Sequence, residues 1–103
     1  MTHENLWPKS YDLWQRSKKV LVGGVSTGLR AAMKPHPLFF ERAQGSRMWD
    51  VDGHELVDFV LGWGPVILGH CAPQVTAAVQ RQAATSETFG AQHQLEYLVA
   101  EKI

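Results

Sequence analysis

A chain of 103 residues is the size of one ordinary domain, and 45% apolar with 19% charged residues is a globular rather than a disordered composition. Ten Lys and Arg balance ten Asp and Glu, which argues against a nucleic acid or an anionic membrane recruited by bulk charge. One cysteine, Cys71, excludes an internal disulfide and a cysteine-rich zinc site; no apolar run approaches the ~18 residues of a membrane span, and no basic-then-apolar leader opens the chain, so the cytoplasm is the expected compartment.

Residues 8–20 predict the first helix. Pro8 suits a first helical turn, and Tyr11, Trp14, Lys18 and Leu21 fall near one stripe before Gly23-Gly24 ends it. Residues 22–36 read as an irregular loop of small side chains, whose backbone can come close to something else. Three short strands follow: Leu38–Phe40, Ser46–Val51 and His54–Val60. Asp52-Gly53 between the last two is a hairpin signal, and Gln44-Gly45 a weaker turn signal, so the three are expected to form an antiparallel meander. Residues 61–72 form a glycine-punctuated connector. Pro73 opens a second helix, with Val75, Ala78, Val79 and Ala83 on one stripe up to about Thr85. After a loop over 86–92, a third helix begins near His93, with Leu95, Leu98, Val99 and Ile103 at helical spacing. No glycine or asparagine caps that stripe, so the sequence is expected to be cut at Ile103 rather than to end there.

Few residues suggest chemistry by themselves. No two of the histidines (3, 36, 54, 70 and 93) have the i, i+4 spacing of a helical metal pair, and no metal site is expected. His3, His36 and His93 read as solvated or hydrogen-bonded; adjacent His70 and Cys71 form a conceivable nucleophile pair, although sequence neighbours usually point apart. Gly23–Gly28 has neither the dinucleotide spacing nor a Walker lysine. Arg30, set among small residues, can offer a bidentate fork to a carboxylate or stand as a solvated surface charge. Trp63, between two glycines and before Pro65, can wall a pocket or serve as a core anchor. Lysines 9, 18, 19, 34 and 102 all lack the apolar surroundings that lower an ammonium pKa for Schiff-base chemistry.

Four blocks in order carry a resemblance: Val22-Gly-Gly-Val-Ser-Thr-Gly-Leu-Arg-Ala31, Trp49-Asp-Val-Asp-Gly-His-Glu-Leu-Val-Asp58, Trp63-Gly-Pro-Val-Ile-Leu-Gly-His70 and Thr88-Phe-Gly-Ala91. From about Tyr11 to Ile103 the chain resembles the N-terminal segment of class III, pyridoxal-phosphate-dependent aminotransferases, closest to the pattern of the glutamate-1-semialdehyde 2,1-aminomutases and their aminotransferase relatives. The resemblance implies an α+β piece (helix, three-stranded meander, two helices) of a larger α/β, fold type I enzyme. Residues 1–60 would be the N-terminal segment, and residues 61–103 the connector and first helices leading into the cofactor-binding domain. It implies pyridoxal 5'-phosphate as cofactor, a small amino or keto carboxylate as substrate, and a homodimer. By the same resemblance Arg30 grips the substrate carboxylate, Thr27 is the hydroxyl residue three places before it, and Trp63 lines the substrate pocket. No catalytic residue is assigned, because the Schiff-base lysine and the phosphate-binding residues are expected beyond Ile103.

The sequence departs from the aminomutase pattern around Arg30. Val22 and Gly28 stand where that family commonly has proline, Ala32 stands where it has phenylalanine, and Gly-His-Cys-Ala-Pro stands at 69–73. An ω- or β-amino-acid aminotransferase is therefore the competing substrate reading. From a different class, the chain could be an inert truncated fragment that associates through exposed apolar faces. A small stand-alone carboxylate-binding module has no support beyond Arg30.

Overall fold

The computed structural model describes residues 5–103, in two compact units divided after Cys71. In the first unit, α1 (Pro8–Ser17) starts on Pro8, as expected. Its first turn has no local side-chain cap. Instead the Asp52 carboxylate, from the hairpin loop, accepts the backbone N–H groups of Lys9 and Ser10 at 2.7 and 3.0 Å. A carboxylate there satisfies orphan donors and meets the positive end of the helix dipole. The helix stops at Ser17 rather than at residue 20, because Lys19 and Val20 bond back three residues, to Arg16 and Ser17, and tighten the chain into a turn.

The stretch read as a loop over 22–36 contains a 3₁₀ turn, Val22–Gly24, and a four-residue helix α2 (Gly28–Ala31). Gly24 has φ +74°, and a Cβ there would lie 2.8 Å from the Trp14 ring, so the chain passes the indole only as glycine. His36 is buried, stacked on Trp14 at 5.8 Å and edge-on to Tyr11 at 5.4 Å.

The meander is present, in the order β1 (Phe40–Gln44), β2 (Arg47–Asp50), β3 (Glu55–Val57), with both pairs antiparallel. Its strands differ from the expected ones. β1 begins at Phe40, where the expected strand ended, and runs on to Gln44; before it, the N–H groups of 38–39 are committed elsewhere, Leu38 N–H to the Met33 sulfur and Phe39 N–H to Ser10 Oγ. β2 is trimmed to Arg47–Asp50. β3 stops at Val57 rather than Val60, since the Asp58 carboxylate turns the chain by accepting the N–H groups of Val60 and Leu61. The hairpin at Asp52-Gly53 holds. Its loop spans 51–54 and only Gly53 takes positive φ, while Asp50 organises it through the N–H groups of Asp52 and His54.

Polar groups occupy the interior of this unit. Asp50 and Ser10 are fully buried, Asp58 and His36 nearly so, and among the described residues no large apolar side chain reaches full burial. Asp50 accepts four bonds, from the Trp7 indole, the His54 ring at 2.8 Å, and two backbone N–H groups. Burial alone would raise its carboxyl; the His54 hydrogen bonds and the Trp7 indole outweigh it and hold it below its ordinary 3.8.

In the second unit, α3 (Pro73–Ala83) has proline at its first turn. The last helix, α4 (Gln94–Ala100), carries a cap that the sequence reading did not use. His93 Nδ1 accepts Leu95 N–H and Glu96 accepts His93 N–H, a reciprocal box. The helix ends at Ala100 rather than running its stripe to Ile103, with residues 101–102 in a turn. Among the described residues no helix is long and apolar enough to cross a membrane.

Candidate functional site

Thr27 and Arg30 belong to α2. Thr27 stands at its N-terminal boundary in extended backbone, makes no side-chain cap, and accepts Arg30 N–H on its carbonyl at 3.1 Å. Arg30 is exposed and forms no ion pair among the described residues. A five-donor planar fork left unengaged is free to take a carboxylate bidentately.

Trp63 stands on a different loop. It closes a 3₁₀ turn, Leu61–Trp63, and its residue is 79% exposed, which rules out the core-anchor role within these residues. Leu61, Gly62, Trp63 and Gly64 take φ of 56°, 61°, 67° and 117° in succession. For Leu and Trp this left-handed backbone costs on the order of 1–2 kcal/mol each, and persists only where the surroundings fix it. No hydrogen bond, ring contact or cation–π contact joins Trp63 to Arg30 or Thr27 among the described residues.

The loop's ends meet at Asp58. Its Oδ1 accepts Val60 and Leu61 N–H at 2.8 and 3.0 Å, and its Oδ2 accepts the His70 Nε2–H at 2.6 Å. The His70 ring bond and the two backbone bonds hold the Asp58 carboxyl below its ordinary 3.8. His70 is pinned in turn by a two-way backbone bridge to Gly45, both bonds 2.9 Å. The His70–Cys71 nucleophile pair does not form. The imidazole faces Asp58, while Cys71 Sγ donates to the Ala43 carbonyl at 3.4 Å.

Of the other histidines, His36 donates from Nδ1 to the Pro37 carbonyl, and His93 caps α4; His3 lies outside the described residues. All five lysines are exposed. Sequence reasoning missed the Asp58–His70 pair. An aspartate directly after a strand, followed by Phe59-Val60-Leu61 and then Gly-Trp-Gly, is a turn signal, but nothing in a 12-residue separation announces the histidine.

Residues 29–103 match the family described as aminotransferase class-III. Over 95 residues the chain is 44% identical to the glutamate-1-semialdehyde 2,1-aminomutase of Ignicoccus hospitalis, covering 92% of this chain and 22% of that protein. It superposes with TM-score 0.83 and 32% identity on an omega-transaminase from Sphaerobacter thermophilus, covering 95% of this chain and 23% of the other. A transaminase solved with PLP bound gives TM-score 0.83 and 30% identity, over 92% of this chain and 22% of that one. The chain thus spans about a fifth of the length of the proteins it matches.

Proposed function

The chain belongs to the class III aminotransferase family, and from that premise we propose that it is the N-terminal part of a pyridoxal-phosphate enzyme that moves an amino group on or between small amino and keto carboxylates. The family match over residues 29–103 carries this reading. In it, residues 1–60 form the N-terminal segment, with the substrate loop around Arg30, and residues 61–103 are the connector and first helices leading into a larger cofactor domain that supplies the Schiff-base lysine. The many exposed apolar residues, Phe59, Ile67 and Leu68 among them, support further parts of the fold packing here. The reading extends to a cytoplasmic homodimer, which light scattering and cell fractionation of the whole protein test.

The cofactor, when bound, supplies the electron sink for amino-group chemistry. The residues of this chain bind and orient. Arg30 holds the substrate carboxylate and so fixes which carbon meets the reacting centre. Trp63 walls the pocket with its exposed indole, and Thr27 lends a hydroxyl beside Arg30.

Two activities are open within this class. An aminomutase returns the amino group to its own carbon skeleton and needs no acceptor, whereas an aminotransferase stalls without a keto acid. The test is turnover of glutamate 1-semialdehyde with no keto acid present, against turnover of β-alanine with pyruvate. Neither turnover would sink the proposal. Loss of a charge-assisted bidentate contact should make Arg30→Ala raise KM by roughly tenfold to a hundredfold. An unchanged KM would remove Arg30 from the site.

A further inference from the structure

We propose that Asp58 and His70 form a positioning pair that fixes the loop between them and so holds the Trp63 indole in place. The inference rests on the reading of Trp63 as a pocket wall, but concerns two residues that this reading does not use.

One carboxylate closes the loop at both ends. Asp58 Oδ1 takes the N–H groups of Val60 and Leu61, where the chain enters its left-handed run, and Oδ2 takes the His70 ring at the exit. The Asp58 side chain is 3% exposed and that of His70 19%, so solvent competes little for this bond. Between these ends the loop carries its own bonds: Trp63 N–H to Val60, Gly64 and Val66 N–H to Leu61, and Gly69 N–H to Val66, all 3.1 Å. The exit is also tight sterically, because a Cβ on Gly69 would lie 3.2 Å from the Gly45 backbone.

The frame is therefore fixed while the indole it carries stands in the open. Four consecutive positive φ angles are not a conformation that Leu61 and Trp63 keep unaided. If Asp58 is removed, two backbone donors lose their acceptor and the histidine loses its partner. The loop can then relax toward ordinary backbone, and Trp63 swings with it. A pocket wall on a strained loop needs such outside support to be reproducibly placed.

The test uses the whole protein from its native gene, loaded with pyridoxal phosphate and labelled with 5-fluorotryptophan. The Trp63 fluorine resonance is the one that Trp63→Phe abolishes. Asp58→Ala and His70→Ala should shift or broaden it, while the resonances of Trp7, Trp14 and Trp49 stay in place. Both variants should raise KM for whichever probe is turned over, glutamate 1-semialdehyde or β-alanine, on the order of tenfold with a smaller change in kcat, as expected for a displaced wall. His70→Gln, whose amide can still donate to Asp58, should restore the resonance and KM in part, and with His70→Ala carries the test if Asp58→Ala does not fold. A Trp63 resonance that stays put in folded His70→Ala overturns the proposal. A resonance that moves in His70→Ala, with KM unchanged in Trp63→Phe, supports the pair and overturns the pocket-wall reading.

Discussion

The segment around Arg30 and the segment around Trp63 are built in opposite ways. From Ser26 to Ala32 the chain is held by backbone bonds of its own, and neither Thr27 nor Arg30 is engaged by a side chain among the described residues. From Val60 to His70 it has such bonds too, but it is also held from outside, by Asp58 and by the bridge to Gly45. An arginine on a loosely held turn keeps its rotamer freedom until a carboxylate arrives, and binding must then order it, at up to about 2 kcal/mol. A tryptophan on a clamped loop has its backbone fixed in advance, so less remains to be ordered when substrate arrives. In the proposed site the two residues thus divide the work: one adapts to the substrate's charge, the other presents a fixed surface to its body.

Glycine substitutions test that contrast, because one added methyl group meets different surroundings in the two segments. The largest effect is expected at Gly69, with φ +83° and the Gly45 backbone 3.2 Å from a new Cβ. Gly69→Ala should cost about 3 kcal/mol, strain and crowding together, read as a lowered Tm of the whole protein. Gly62→Ala comes next. Its φ is +61°, but the atom it meets, at 3.0 Å, is the end of the Val66 side chain, which can turn away. A loss of about 1–2 kcal/mol is expected there.

Acid should act on the clamped segment as well. The carboxyls of Asp58 and Asp50 lie below their ordinary values in the folded protein. In the unfolded chain such groups titrate near ~3.9. Their stabilisation is fully present above about pH 4 and is lost as the pH falls through the lowered folded values. Calorimetry from pH 5 downward should show Tm falling less steeply in Asp58→Asn than in the parent. Equal slopes would mean that the pair contributes nothing to acid stability.

The smallest effect has the opposite sign. Gly28 opens α2 without positive φ, and a Cβ there meets nothing within 4 Å. Gly28→Ala should stabilise by about 0.4–1 kcal/mol by restricting the unfolded chain. A destabilised Gly28→Ala would show the Arg30 segment to be as constrained as its counterpart, and would erase the contrast.

What the sequence legibly carried was local. Pro8 and Pro73 marked helix starts, Asp52-Gly53 marked the hairpin, and the order helix, meander, two helices followed from them. Each signal acts over a few residues through fixed φ, a missing N–H or tolerance of positive φ, so it can be read without knowing the fold. The ordered motif blocks likewise pointed to the family. The first strand was placed at Leu38–Phe40 and forms at Phe40–Gln44, and the third was run on to Val60, because what bounds these strands at Leu38 and Val60 is a hydroxyl from α1 and a turning carboxylate, not a breaker residue. The tertiary structure alone decided that Asp52 caps a helix 42 residues away, that Asp50 gathers Trp7 and His54, and that His70 turns to Asp58 rather than to Cys71. Such bonds have no period and no spacing rule. They form where the folded backbone brings a carboxylate beside donors that would otherwise lack a partner, and the more water is shut out, as at Asp50 and Asp58, the more an unpaired donor would cost.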